Sequence, residues 1–148
     1  MSRLGVGTAP LGGLFSSVAD ADVDELIERA LQQGLSYFDT APFYGSGSSE
    51  RRIGKGLRKV PRSTFTISTK VGRVLLPGAS TEPNEYVDLD PFTPVFDYTA
   101  SGIRRSFESS LERLGLDSVD ILYIHDPDDH LDQAISEAYP ELDKMRQE

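Results

Sequence analysis

The order of apolar runs along the chain constrains the fold more than any other feature of this 148-residue sequence. Four short apolar runs, which begin near residues 4, 36, 64 and 119, alternate with segments whose apolar residues recur at helical spacing. The repeat is roughly 30 residues once a proline-rich segment of roughly 25 residues is subtracted from the last interval. This alternation predicts an α/β fold with parallel strands and right-handed crossovers.

The first two helical segments have recognisable ends. Apolar residues recur at helical spacing from Val23 to Leu31, and Gly34 is placed to end this helix. We expect Ser48 or Ser49 to cap the second helix, with Glu50 in its first turn, where a negative charge suits the helix dipole. Each helix therefore connects two consecutive predicted strands.

The second half of the chain is less regular. Residues 73–97 carry four prolines and no clean periodicity, which predicts a long irregular excursion. A third helix over 103–114 ends at Gly115, and the sequence from 131 onward is again helical, with Pro140 beginning a second piece. The run 119–124 between them is nearly all apolar, as expected for a strand whose two faces are both covered.

The composition narrows the class of partner. The net charge is −9, whereas nucleic acids and anionic membranes attract basic surfaces, so we expect neither as a partner. The sequence has no cysteine, which excludes a disulfide framework and fits a reducing cytoplasm. No apolar run approaches the roughly 20 residues that span a bilayer, and the N-terminus lacks the pattern of a signal peptide.

Ionisable side chains end three of the four predicted strands. The strand ends are Thr8, Asp39, Lys70 and His125, and Tyr44 lies shortly after the second. Because ligands of parallel α/β folds bind at the carboxyl ends of the strands, these side chains are expected to converge. A lysine ammonium stabilises a phenolate, an aspartate keeps that lysine charged and oriented, and a histidine bonds a substrate oxygen. Such a site protonates or deprotonates the oxygen of a carbonyl, alcohol or hemiacetal.

Each residue also has a structural interpretation. Asp39 before Thr-Pro is typical of a turn or cap, and Tyr44 of packing within a loop. Lys70 fits a solvated strand end, and His125 fits a core histidine with its hydrogen bonds satisfied. The segment 126–130, DPDDH, fits a turn and helix start better than a calcium loop, and it lacks zinc-type spacing. Only the coincidence at three successive strand ends favours function over these alternatives.

The motifs resemble those of the aldo-keto reductases, in family order and over essentially the whole chain. The first strand carries GTAPLGG, followed by FDTAPFYG, SERRIGKGL, ISTKVGR and LERLGLDSVDILYIHDPD. Asp39, Tyr44, Lys70 and His125 fall on the four positions of the family's catalytic tetrad. The resemblance implies that Tyr44 is the general acid/base, tuned by lysine and aspartate, that His125 orients substrate, and that hydride is exchanged with a nicotinamide.

The resemblance also implies a cofactor and a substrate class. NADP or NAD is the implied cofactor, with Gly7, Thr8 and Asp39 near the nicotinamide ribose and no metal. Within the family, the segment after KVGR and the run YIHDPDDH resemble bacterial L-fucose or D-threo-aldose 1-dehydrogenases and pyridoxal 4-dehydrogenase. The implied reaction is oxidation of the hemiacetal of a small sugar or aldehyde to a lactone.

The family fold is a (β/α)8 barrel of about 250 residues or more, and this chain supplies four strand–helix units, its N-terminal half. Residues 1–148 therefore represent a partial domain that stops within the fourth helix, without the later strands that supply most cofactor contacts. Two hypotheses stay open. The chain belongs to a dehydrogenase whose remainder completes the barrel, or it is a non-catalytic half-barrel. Its open sheet edges favour self-association or pairing with a C-terminal half.

Overall fold

A computed structural model describes residues 4–79, 85–87 and 89–148 of the chain. The strands are β1 (Val6–Gly7), β2 (Tyr37–Asp39), β3 (Thr66–Val71), β4 (Arg73–Pro77), β5 (Phe92–Phe96) and β6 (Ile121–Ile124). The helices are α1 (Asp20–Gln32), α2 (Ser48–Leu57), α3 (Ala100–Leu114), α4 (Leu131–Gln133) and α5 (Tyr139–Met145), with a π-helical turn at Ala134–Ala138 between the last two. Short 3-10 turns lie at Ala9–Gly12, Arg62–Thr64 and Asp128–His130.

The main sheet has the order β1-β2-β3-β6, and all of its strand pairs are parallel. This confirms the α/β fold predicted from the alternation. The strands begin later than expected, and β3 extends to Val71, so Lys70 lies inside the strand rather than after it. In the register, Asp39 pairs with Ser68 and Lys70 pairs with Tyr123.

The two faces of the sheet differ in chemistry. Phe38 and Ile67 are fully buried and belong to the apolar core that α1, α2 and α3 help to form. Because side chains alternate along a strand, Tyr37, Ser68 and Lys70 point to the opposite face. That face carries the polar side chains, so the helices cover the apolar side and leave the polar side accessible for a site.

The prediction that both faces of the last strand are covered is wrong for the described residues. Tyr123 of β6 is 44% exposed, and Leu122 and Ile124 are only partly buried against the core formed by Val71, Tyr98 and Ile103. The reason is that Tyr123 pairs with Lys70 and points to the same accessible face of the sheet, whereas Leu122 and Ile124 point to the opposite face. Among the described residues, only one face of this strand is therefore covered by the helical side of the protein.

The start of α2 also differs from the prediction. Gly47, with φ of 100°, takes the cap position instead of Ser48 or Ser49. Such a left-handed conformation favours glycine. The two serines lie buried in the first turn, where Ser48 donates to the carbonyl of Gly12 and Ser49 to the carbonyl of Thr8. Their hydroxyls therefore attach α2 to the loop after β1 rather than capping the helix.

Glu50 does more than complement a helix dipole, because its side chain is fully buried. One carboxylate oxygen accepts from Thr69 of β3 at 2.5 Å and the other from Arg113 of α3 at 2.7 Å. Desolvating a carboxylate is costly unless it is paired and hydrogen-bonded. The pair therefore ties the second helix to the third, and the Thr69 hydroxyl ties both to β3.

The excursion at 73–97 is more regular than predicted. Strands β4 and β5 form an antiparallel ribbon in which Arg73 pairs with Phe96 and Leu75 with Pro94. Residues 80–84 and 88 of this segment lie outside the described residues. Proline content hid the ribbon, since prolines are tolerated in a two-stranded sheet whose outer edges need no partner.

The remaining helix boundaries follow the sequence. Gly34 and Gly115 adopt positive φ after α1 and α3, as expected of glycines that end helices. The last helical segment continues from Leu131 through the wide π turn, and α5 begins just before Pro140. Within the part of the chain that the structure describes, no helix combines the length and apolar character that crossing a membrane requires.

Candidate active site

The sheet register brings the predicted residues to one end of the sheet. Asp39 is the last residue of β2, Lys70 is the penultimate residue of β3, and His125 follows β6 directly. The amide of His125 donates to the carbonyl of Val71 at 2.9 Å, so the parallel pairing continues one residue beyond β6. An open cavity of about 440 Å³ lies here, lined in part by Asp39, Lys70 and His125.

Lys70 makes contact with both predicted partners. Its Nζ donates to Oδ2 of Asp39 at 2.7 Å, to the hydroxyl of Tyr44 at 3.0 Å and to the carbonyl of Thr40 at 2.9 Å. Since an ammonium has three protons to donate, all of them are used. Burial lowers the pKa of Lys70, but the hydrogen bonds to Asp39 and Tyr44 outweigh burial, so the pKa is raised above its usual value. The lysine is therefore a cation beside the phenol.

Tyr44 reaches this position because its loop packs tightly on the loop after β1. Gly45 has φ of 63°, and a Cβ there would lie 2.2 Å from the carbonyl oxygen of Gly12. Only glycine allows the two backbones to approach this closely. The tight contact between this loop, which is rich in Gly and Ser, and the loop after β1 therefore helps to position Tyr44 at the end of the sheet.

His125 lies beside the phenol with its side chain only 8% exposed. Its ring meets the ring of Tyr44 edge-on, with centroids 5.9 Å apart, and meets that of Phe43 at 6.1 Å. Burial lowers the pKa of His125 to about 4, with Asp126 opposing and the cations Arg73 and Lys70 reinforcing the effect. The imidazole is thus neutral near pH 7 and offers one donor and one acceptor nitrogen.

Arg73 is a site residue that the sequence analysis did not single out. Its guanidinium lies between the rings of Phe43 and Phe96, at 4.2 and 4.4 Å, and donates to Asp126 at 2.9 Å. Asp126 has φ of 43°, which directs the chain sharply after His125. The signal for Arg73 was its place in the KVGR motif, directly after the strand that carries Lys70.

Tyr98 stabilises the same turn through hydrogen bonds from its hydroxyl. Its hydroxyl lies 2.5 Å from the carbonyl oxygen of His125 and 2.9 Å from that of Asp126, and shares its proton between them. The β4–β5 ribbon thus holds the turn after His125 from one of its ends, through Arg73 at the start of β4 and Tyr98 two residues after the end of β5.

Two more residues of the sheet extend the hydrogen bonds around Asp39, one directly and one through the other. Ser68 donates to Oδ1 of Asp39 at 2.6 Å, and the hydroxyl of Tyr37 lies 3.0 Å from Oγ of Ser68. Neither was predicted, because the strand register that makes them neighbours cannot be obtained from one strand alone. The available signal was alternation, since Ser68 is two residues before Lys70 and Tyr37 two before Asp39.

The predicted cofactor-binding residues lie at the same end of the sheet. Gly7 is exposed, and a Cβ there would meet nothing within 4 Å. Thr8 is fully buried, and its hydroxyl donates to the carbonyl of Asp39 at 2.9 Å. Gly7 thus leaves open space beside Asp39, whereas Thr8 supports the backbone of Asp39 from behind.

His130, which is flanked by acidic residues in the sequence, packs against two aromatic rings. Its ring packs 5.0 Å from that of Phe96 and 5.2 Å from that of Tyr98. Among residues 4–79, 85–87 and 89–148, no group of His, Asp or Glu side chains is arranged to hold a metal ion.

The comparisons with known proteins agree with this geometry. Residues 3–148 match the model of the aldo/keto reductase family. The chain is 43% identical to a Pseudomonas D-threo-aldose 1-dehydrogenase, over 98% of this chain and 46% of that protein. It is also 43% identical to pyridoxal 4-dehydrogenase of Microbacterium luteolum, over 85% of this chain and 40% of the relative.

A solved structure gives the same result for the fold. The glycerol dehydrogenase of Gluconobacter oxydans superposes with a TM-score of 0.76 at 32% identity, covering 99% of this chain and 42% of that one. The chain spans about half the length of the curated relatives it matches. Because its structural neighbours are (β/α)8 barrels, the four-stranded sheet corresponds to the N-terminal half of such a barrel. By its motif order, sheet and matches, the chain belongs to the aldo/keto reductase family.

Proposed function

We propose that this chain carries the catalytic residues of a nicotinamide-dependent oxidoreductase that converts the hemiacetal of a small sugar or aldehyde to a lactone. The observation that supports this most directly is the triangle of Lys70, Tyr44 and Asp39. A tyrosine oxygen that accepts a hydrogen bond from a largely buried ammonium at 3.0 Å is suited to ionise, and the phenolate can then accept and return a proton.

Each side chain then has one task. Tyr44 accepts the proton of the anomeric hydroxyl while the hydride on the same carbon departs, so that the C–O bond becomes a lactone carbonyl. Lys70 stabilises the phenolate form of Tyr44 that accepts this proton, and Asp39 holds Lys70. His125, neutral and facing the cavity, bonds the substrate oxygen and orients the sugar ring.

The site fits a nicotinamide on one side. When bound, NADP or NAD supplies the carbon that accepts the hydride. Gly7 leaves open space beside Asp39 at the sheet end, and Thr8 fixes the Asp39 backbone, so these residues would hold the nicotinamide ribose. Most contacts to the rest of the dinucleotide would come from the remaining half of the barrel, because residues 1–148 represent a partial domain in this proposal.

Two relatives support the proposed substrate class. D-threo-aldose 1-dehydrogenase and pyridoxal 4-dehydrogenase are the names of two proteins that this chain resembles at 43% identity. Both names describe a small-molecule substrate, so we infer an L-fucose-like aldose or a pyridoxal-like aldehyde for this site. The cavity is lined in part by Asp126 and Tyr37, whose polar groups can hydrogen-bond a hydroxylated ring.

The second candidate is a half-barrel without catalysis of its own, which acts by pairing with a second copy or with a C-terminal half. The observation that favours it is the exposed Tyr123 on β6, a strand that pairs only with β3 among the described residues. A single binding measurement separates the two candidates.

The first test is calorimetric titration of the 148-residue chain with NADPH and NADH. Binding tighter than about millimolar, near −4 kcal/mol, supports an assembled cofactor site in this chain or its oligomer. If both cofactors bind more weakly than that, the chain alone is not a dehydrogenase and the half-barrel candidate gains.

Where turnover of L-fucose or pyridoxal is measurable, Tyr44→Phe is expected to lower kcat by about a hundredfold or more, because general acid–base catalysis contributes on that order. The matched control is Tyr139→Phe, since Tyr139 is 65% exposed on α5 and is expected to keep the parental rate. Equal loss in both variants, or retained activity in Tyr44→Phe, contradicts the assignment of Tyr44 as the base.

A further inference from the structure

Asp39 is held from two sides. Oδ2 accepts from the ammonium of Lys70 at 2.7 Å, and Oδ1 accepts from the hydroxyl of Ser68 at 2.6 Å. The carboxylate plane is therefore fixed by one cation and one neutral donor. Ser68 is fully buried, and its alternative acceptor, the carbonyl of Phe38, lies 3.5 Å away. The bond to Asp39 is thus the better of the two by distance.

The proton of Ser68 sets the donor-to-acceptor direction of a longer series of hydrogen bonds. Because an ionised carboxylate only accepts, Ser68 donates to Asp39 and has to accept from the hydroxyl of Tyr37, 3.0 Å away. Tyr37 has then used its own proton, so it accepts from the hydroxyl of Tyr123 at 3.4 Å. Three hydroxyls on three neighbouring strands therefore all point toward the negative charge.

Polar residues at these inward positions are unusual for a barrel. The inward-facing side chains of (β/α)8 barrels are mostly bulky branched residues such as Val, Ile and Leu. Here the inward positions below Asp39, Lys70 and His125 carry Tyr37, Ser68 and Tyr123. Aligned hydrogen bonds of this kind polarise one another and strengthen the last bond, the one to the carboxylate.

We propose that Ser68, oriented by Tyr37, is a positioning residue that fixes the Asp39 carboxylate and thereby keeps the Lys70 ammonium against Tyr44. This inference rests on the proposed function for its kinetic consequence but not for its structural one. With Ser68 removed, Oδ1 loses its donor and the carboxylate rotates toward solvent, since Asp39 is 27% exposed. Lys70 then loses its best partner.

The direct test is chemical and needs no turnover. In the full 148-residue chain, the rate at which Lys70 is acetylated is compared with that of Lys144, whose side chain is 68% exposed. An ammonium whose side chain is only 14% exposed and that donates to three acceptors is protected, so Lys70 reacts slowly in the parent. We expect Ser68→Ala to raise the Lys70 rate relative to Lys144 about tenfold, the size of one lost charge-assisted hydrogen bond. Tyr37→Phe, at a half-buried position that tolerates the change, is expected to raise it less.

Ser110→Ala is the matched control. Ser110 is also fully buried, but its hydroxyl accepts from Arg113 on α3 and does not touch Asp39. It is expected to leave the relative rate of Lys70 unchanged. If Ser68→Ala and Ser110→Ala behave alike, or if both Ser68→Ala and Tyr37→Phe leave Lys70 protected, the proposal is overturned.

A kinetic arm distinguishes this proposal from the proposed function. Where the chain turns over substrate, Ser68→Ala is expected to lower kcat about tenfold with KM unchanged, and Ser68→Thr, which keeps the hydroxyl, is expected to restore it. Absence of turnover in the parent counts against the proposed function of the chain alone, whereas the acetylation rates still decide the role of Ser68. A loss of kcat that Ser68→Thr fails to restore contradicts the role of the hydroxyl.

Discussion

His125 shows how a single buried side chain makes stability depend on pH. Burial lowers its pKa from 6.5 to about 4 in the folded chain, whereas unfolding returns it toward 6.5. The unfolded state therefore binds the proton first as the pH falls. The contribution of His125 is complete above pH 6.5, decreases between 6.5 and about 4, and changes no further below that. The full loss has an upper limit of about 3 kcal/mol.

Urea unfolding at several pH values between 7.5 and 4.5 measures this effect. The parent is expected to lose stability with falling pH more steeply than His125→Gln, which carries no titrating ring. His130→Gln serves as the control, because it removes the other histidine and leaves His125 in place. Parallel pH profiles for the parent and His125→Gln contradict the buried, neutral state.

At this scale the sequence predicted which side chains lie together at the end of the sheet. Asp39, Lys70 and His125 could be brought together because parallel strands end at one edge, and Tyr44 because its loop follows one of them. Ser68 and Arg73 were missed for a physical reason. The role of Ser68 depends on which residue it faces across the strands, and that of Arg73 depends on how the β4–β5 ribbon pairs. Neither follows from a local sequence pattern.

Among the secondary-structure elements, the crossing of α2 and α3 depends on one small residue. A Cβ on Gly54 would lie 2.2 Å from the carbonyl oxygen of Leu114, so the helices could not keep their present distance. We expect Gly54→Ala to destabilise the fold by about 3 kcal/mol, as overpacking against rigid backbone does. Circular dichroism during urea unfolding measures the change.

Gly56 on the same helix provides the comparison. A Cβ there would meet the tip of Ile27, a side chain that can rotate away. Alanine also has the better helix propensity, by about 1 kcal/mol. Gly56→Ala is therefore expected to be close to neutral, and a loss equal to that of Gly54→Ala would show that helix contact distance is not the cause.

The elements also show where sequence patterns lose information. The periodic helices and their terminal glycines were predicted because those signals are local. The cap of α2 was not, because Ser48 and Ser49 satisfy tertiary contacts that outweigh their preference for capping. The apolar run of β6 was interpreted as a strand covered on both faces. Such a run indicates that burial is preferred, but it does not indicate which part of the protein covers the strand.

For the molecule as a whole, the edge of the main sheet at β6 has no neighbouring strand among the described residues. Unpaired strand edges pair with other chains, and Tyr123 adds exposed aromatic area there. We expect the 148-residue chain to form dimers or larger species at high concentration, measured by size-exclusion chromatography with light scattering. Tyr123→Lys should shift the equilibrium toward monomer.

Tyr139→Lys tests whether any exposed aromatic ring has the same effect. Tyr139 is 65% exposed on α5, away from the sheet edge, and its replacement is expected to leave the association unchanged. A monomeric parent at every concentration would argue that the edge is protected without a partner.

The buried pair of Glu50 and Arg113 has a consequence for the order in which the chain acquires structure during synthesis. The two residues are 63 positions apart, so Glu50 leaves the ribosome long before the guanidinium that neutralises it. Until α3 emerges, burial of Glu50 beside Thr69 would leave its carboxylate without the cation of Arg113, at a cost of several kcal/mol. The second unit therefore waits for the third, and the nascent chain is expected to become resistant to protease in one late step rather than unit by unit.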